Sequence, residues 1–195
     1  MSSPPPADFH TVRFSKMLQI KNTTVLVVDI QGNLAGLMHA REKLFKKARS
    51  LIKAANILQI PILWTQQVPC ALGATVPQIA ELLEHLQPID KASFSCWGSE
   101  EFKDNLKDLN RSQLVICGIE AHVCIYQTAI ELRNHGFDCT VAADAVSSRS
   151  QTDLQIALER MRQGKIRITS VEMVLFELLK TSRHPQFKQI SALIK

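Results

Sequence analysis

The sequence predicts a three-layer α/β/α sandwich built on a mostly parallel sheet. Three observations predict it. Extended and helical patterns alternate along the chain, the extended runs are apolar at consecutive positions, and 195 residues suffice for one substantial core but not for two ordinary domains. A strand apolar on both faces needs helices above and below it, and the alternation supplies them.

TTVLVVDIQ, residues 23 to 31, is a β-branched apolar run between Asn22 and Gly32 and reads as the first strand. Leu44, Ala48, Leu51, Ile52, Ala55 and Leu58 recur at three- and four-residue steps, the apolar stripe of a helix over 41 to 58. Ile60 to Trp64 is the second strand, with Pro61 at its start, where a missing N–H matters least. A loop with Pro69 and Gly73 leads to a helix around 77 to 86, and a third extended piece follows over 88 to 92. Ser99 caps a helix over 99 to 109, and QLVICGI is the fourth strand. A helix over 121 to 135 closes at Gly136, FDCTVAADAV is the fifth strand, and 151 to 162 is a helix ending near Gly164. KIRITS is the sixth strand, followed by a helix over 171 to 180 and a short C-terminal one. Residues 1 to 21 read as a flexible segment ahead of a domain over 22 to 195, since MSSPPPADFH carries no apolar period.

Composition narrows the function. No apolar run approaches the roughly 18 residues of a membrane helix, so no membrane partner is expected. Three prolines and Asp8 interrupt the place where a secretory signal would be apolar, which favours a cytoplasmic protein. Arg13, Lys16 and Lys21 leave mitochondrial import open on composition. Five cysteines without a C-x-x-C pair suit free thiols, and the net charge of +5 is scattered, with no basic and aromatic stripe for nucleic acid. None of the seven glycines falls in a dinucleotide or triphosphate motif, and the histidines show no metal-binding spacing. No cofactor and no metal are expected.

In parallel α/β folds ligands bind beyond the carboxyl ends of the strands, where strand order reverses. The polar residues there are Asp29 and Gln31, Gln66 and Gln67, Lys91, Glu120 to Cys124, and Asp144 with Ser147. A buried Asp29 needs a cation or several hydrogen-bond donors beside it, and Lys91 is the candidate; a structural Asp capping the loop NLAG is the competing reading. Cys124 falls at a strand-to-helix turn, where helix N–H groups and a neighbouring ammonium would favour its thiolate, and free N–H groups of that turn could hold an oxyanion. Asp29 could take the thiol proton and return it to a leaving amine. An inert buried cysteine is the competing reading from position alone. His122 lies two residues from Cys124, facing another side, and lines the pocket or serves the structure. Phe94 and Trp97 are either core aromatics or a pocket wall.

VVDIQ, WTQQVP, DKASFSCWGSEEF and CGIEAHVC together resemble the isochorismatase-like cysteine hydrolases, and residues 22 to 192 follow that family's order. The likeness is greatest to the eukaryotic isochorismatase domain-containing proteins. It implies a six-stranded parallel, Rossmann-like sheet of order 3-2-1-4-5-6 and a catalytic set of Asp29, Lys91 and Cys124. It also implies a cis peptide between Ile119 and Glu120, with the N–H groups of Glu120 and Cys124 forming an oxyanion hole. Gln31, Gln66, Phe94, Trp97 and His122 are then expected around a small-molecule substrate, in a chain that forms homo-oligomers. Two departures matter: the acid and histidines of the metal-dependent members are missing after the first two strands, and a cysteine stands where isochorismatase proper has none. The expected activity is therefore metal-independent hydrolysis of a small amide or related C–N bond through a thioester. A non-catalytic binding protein and a vinyl-ether hydrolase are the alternatives.

Overall fold

A computed structural model describes residues 17–194. Its six strands are β1 (Thr23–Val28), β2 (Ile62–Gln67), β3 (Ile89–Lys91), β4 (Gln113–Ile119), β5 (Asp138–Ser147) and β6 (Arg167–Thr169). They form one sheet of order β3-β2-β1-β4-β5-β6, with every pair parallel. The helices are α1 (Gly32–Gly36), α2 (Arg41–Ile57), α3 (Pro69–Leu72), α4 (Pro77–Ala80), α5 (Glu100–Asp108), α6 (Tyr126–Asn134), α7 (Gln151–Gln163), α8 (Val171–Leu179) and α9 (Phe187–Ala192).

Strand periodicity divides the core into two layers. Val25, Val27 and Trp64 face one layer with α2 and α8, whereas Leu26, Val28 and Leu63 face the other with α5, α6 and α7. Burying apolar side chains on both faces is what the consecutive apolar runs require, since a solvent-facing side would have alternated. Strand order reverses between β1 and β4, so the chain ends of β1, β2, β3 and β4 lie side by side.

Several elements differ from the sequence expectation. Only Pro77–Ala80 of the helix expected over 77 to 86 is helical. Residues 32 to 36 and 69 to 72, read as loop, form the short helices α1 and α3. Strand β5 runs to Ser147, so Asp144 and Ser147 lie within it rather than past it. Asp144 has a structural role: Oδ1 accepts from Val171 N at 2.8 Å at the start of α8, and Oδ2 lies 3.6 Å from Lys47 Nζ. Leu18 is fully buried and Ile20–Asn22 forms a 3-10 turn at the entry to β1. The proline-rich stretch, Arg13 and Lys16 lie outside the described residues.

Gly118 permits the end of β4 to approach β1. Its φ is +127°, and a Cβ there would sit 2.0 Å from Val28 O, beside a register shift between Ile116 and Gly118. A side chain meets both backbone strain and a clash with a strand that cannot yield. At Gly136, also at positive φ, a Cβ would meet nothing within 4 Å. We expect Gly118→Ala to cost about 2–4 kcal/mol and Gly136→Ala about 1 kcal/mol, read from urea unfolding midpoints. Equal losses would show that strain alone, not the close approach, fixes the glycine.

Candidate active site

Four adjacent strand ends bring the site together. Asp29 follows β1 in left-handed backbone (φ 53°), and its N–H donates to Thr65 O at 3.2 Å. Thr65 and Gln67 sit on β2, and Lys91 closes β3 in register with Gln67. After β4 the peptide between Ile119 and Glu120 is cis, and Ala121–Ile125 then makes one π-helical turn before α6. Cys124 lies in that turn. Such turns widen the backbone locally and recur at functional sites.

Lys91 Nζ is 2.7 Å from Asp29 Oδ2, with the two side chains 0% and 3% exposed. The ammonium also donates to Gln67 Oε1 at 2.7 Å and to the carbonyls of Ser93 and Phe94 at 3.2 Å each. A buried charge pair is tolerable only when its remaining valences are satisfied in this way. Asp29 Oδ1 accepts from Thr65 Oγ1 at 2.8 Å, and the Cys124 thiol hydrogen-bonds to the same carboxylate. Asp29 therefore touches a cation, a hydroxyl and the thiol.

The thiol's electrostatics reverse the sequence expectation. Burial, then the Asp29 charge, push Cys124 up to about 12, and Lys91 offsets this only in part. The helical N–H groups do not rescue a thiolate because the cysteine is already inside the π turn. Cys124 thus rests as a thiol whose hydrogen bond is aimed at a carboxylate acceptor. Cys96, Cys117 and Cys139 are likewise pushed up by burial, to about 11, 12 and 12.

The other residues expected around the substrate separate into distinct places. Gln31 clamps backbone: Nε2 donates to Gln67 O and Gly73 O at 2.9 and 2.8 Å, while Oε1 accepts from Gln67 N at 2.7 Å. Gln66 points away from Lys91, because neighbours on a strand face opposite sides; its Oε1 accepts from Thr75 N at 2.8 Å. Trp97 stacks on His135 at 4.2 Å, at the far end of α6 and near Phe137, which precedes β5. Phe94 is 54% exposed, beside a carbonyl that holds Lys91. His122 is half-buried, with Nδ1 2.9 Å from Ser148 Oγ. Glu120 pairs with Arg149 at 2.9 Å, so the segment after β5 steadies the turn that carries the cysteine.

Thr65 is the residue at these strand ends that sequence reasoning missed, and Gln67 was named there only as one of several polar residues. Strand alternation from Leu63, which faces the layer of α5, α6 and α7, would have placed both on one face. Among the described residues no group of three or more His, Cys, Asp and Glu could hold a metal ion. No helix among them is long and apolar enough to cross a membrane.

Residues 23–173 match the family model of the isochorismatase domain. The chain belongs to the isochorismatase family. Within the family it is similar to isochorismatase domain-containing protein 2 of Danio rerio, 38% identical over 178 residues that span 91% of this chain and 89% of that one. The Homo sapiens protein of the same name is 39% identical over 174 residues, 89% and 83% of the two chains. The MAR1 ribonuclease of Caenorhabditis elegans superposes with a TM-score of 0.87 at 37% identity over 92% of both chains. YcaC from Pseudomonas aeruginosa also reaches 0.87, over 93% and 91%, but at 23% identity it shares the fold alone. An isochorismatase-family chain with this sheet is a member of a hydrolase superfamily, and the strand order expected from the sequence is the one observed.

Proposed function

We propose that this isochorismatase-family chain is a cysteine hydrolase that opens the C–N bond of a small, uncharged amide through a thioester on Cys124. The contact of one carboxylate, Asp29, with both the Cys124 thiol and the Lys91 ammonium carries the reading. Asp29 takes the thiol proton as Sγ attacks the carbonyl carbon. The oxyanion that forms is received by the N–H groups of Glu120 and Cys124. Asp29 then gives its proton to the leaving nitrogen, the C–N bond breaks, and an amine departs. Water attacks the thioester, Asp29 again removes a proton, and the carboxylic acid leaves as the thiol is restored. Lys91 holds the Asp29 carboxylate in place through the 2.7 Å ion pair throughout these transfers.

Charge balance supports a neutral substrate. Asp29 and Lys91 cancel, Cys124 rests as a thiol, and the three N–H bonds of Lys91 already have four protein acceptors. A phosphodiester brings negative charge that grows in the transition state and calls for a free cation. The ribonuclease name of the Caenorhabditis elegans relative is therefore the weaker guide. Homo-oligomerisation belongs to the same proposal, with exposed Phe94 an apolar group that a second copy would cover.

The test is an amide panel with acid quench and intact-mass readout. A covalent acyl mass on Cys124 in the wild type, absent from Asp29→Asn, is the expected result. Cleavage of isochorismate or an RNA oligonucleotide by Cys124→Ala, with no amide turned over by the wild type, would overturn the reading.

A further inference from the structure

Behind Asp29 lies a buried chain of donors that the proposed chemistry does not use. Cys96 is fully buried; its N–H donates to Thr128 Oγ1 at 2.9 Å, and its Sγ lies 3.9 Å from Thr65 Oγ1 as a donor. Thr65, also fully buried, donates to Asp29 Oδ1 at 2.8 Å. A hydroxyl has a single proton. With a thiol donating to its oxygen from one side, that proton is directed to the carboxylate on the other.

We infer that Thr65, oriented by Cys96, is a positioning residue that fixes the polarity of Asp29 as proton acceptor for Cys124 and returns it to the ionised state after each transfer. The inference rests on the reading of Asp29 as the base. Hydrogen bonds to a charged carboxylate favour that form, so Asp29 carrying the thiol proton becomes a ready donor to the leaving group. Thr65 holds one oxygen and Lys91 the other, and loss of either donor weakens the return step. Burial pushes Cys96 up to about 11, which keeps it a donor across the working range. The charged and titratable groups facing Asp29 are Lys91 from β3, Cys124 from the π turn, and Cys96 from the loop before α5. His122 is bound to Ser148 and Glu131 to Ser95 Oγ, away from the carboxylate.

Iodoacetamide is the probe, because alkylation of Cys124 needs no identified substrate. Its rate is followed by peptide mass mapping of Cys124 against pH, with the exposed free thiol Cys70 replaced by serine throughout, in the otherwise wild-type chain, Thr65→Val, Thr65→Ser and Cys96→Ala. Valine keeps the shape and removes the donor; we expect the acid-side midpoint to rise by about one unit, the size of one lost charge-assisted hydrogen bond. Serine restores the wild-type midpoint, and Cys96→Ala gives an intermediate one. Profiles of Thr65→Val and wild type that superimpose, or a serine variant that behaves like valine with unchanged Tm, overturn the inference. An inactive amide panel with shifted alkylation profiles would sink the hydrolase reading and leave this one standing.

Discussion

Lys91→Met is expected to lower the Tm by about 10 °C and to remove hydrolysis with it. The side chain is fully buried, and its loss strands the Asp29 carboxylate in an apolar surround with only Thr65 and the Cys124 thiol as donors. Breaking a buried pair from one side costs about 3–5 kcal/mol, and a domain of this size loses about 2–4 °C per kcal/mol. Gln67 Oε1 and the carbonyls of Ser93 and Phe94 lose their donor as well, so the loop after β3 loosens at the mouth of the site. Adding Asp29→Asn should recover part of the lost stability without recovering activity, which a double-mutant cycle on Tm and turnover resolves. A single variant with wild-type Tm at pH 7 would show that the ion pair is not what holds these strand ends.

How much of this was legible in the sequence depends on the length scale at which each feature is fixed. The sheet was legible because VLVV and LVIC are apolar at consecutive positions, and only a strand covered on both faces buries them all. That Asp29, Lys91 and Cys124 stand close together was legible because each lies at or just past a strand end, and parallel order brings strand ends together; the family likeness selected those three from the polar residues there. The protonation state of Cys124 was not legible. Whether a cysteine meets free helical N–H groups or sits inside a π turn against a carboxylate is a matter of one residue of backbone phase. Gln66 and Gln67 illustrate the same limit: both follow the β2 core, yet alternation sends one to Thr75 and the other to Lys91. Trp97 stayed open between core and pocket wall because proximity to Lys91 along the chain does not fix proximity in space; the Cys96–Gly98 turn carries the indole onto His135.

Cys124→Ala tests the opposite limit, a large loss of activity with little loss of fold. Turnover is expected to fall by at least about 10³-fold, since the bond-forming atom is gone and the remaining groups can only polarise a bound carbonyl. Stability should stay within about 1–2 kcal/mol of wild type, because the Asp29–Lys91 pair keeps both its members and only a small buried group is removed. The pH dependence separates this variant further. A buried thiol pushed up to about 12 keeps its proton where the unfolded chain, with thiols near 9.0, releases its own. Between those values the native state binds more protons than the unfolded state, so stability is complete below pH 9 and is lost as pH rises toward 12. Cys96, Cys117 and Cys139 act in the same direction, and removing Cys124 leaves three such groups instead of four. The Tm of the variant should therefore fall less steeply than that of wild type from pH 9 to 10.5. A parallel decline would mean that burial and the Asp29 charge do not hold Cys124 as a thiol, and the proposed reaction would then start from a thiolate rather than from a proton transfer to Asp29.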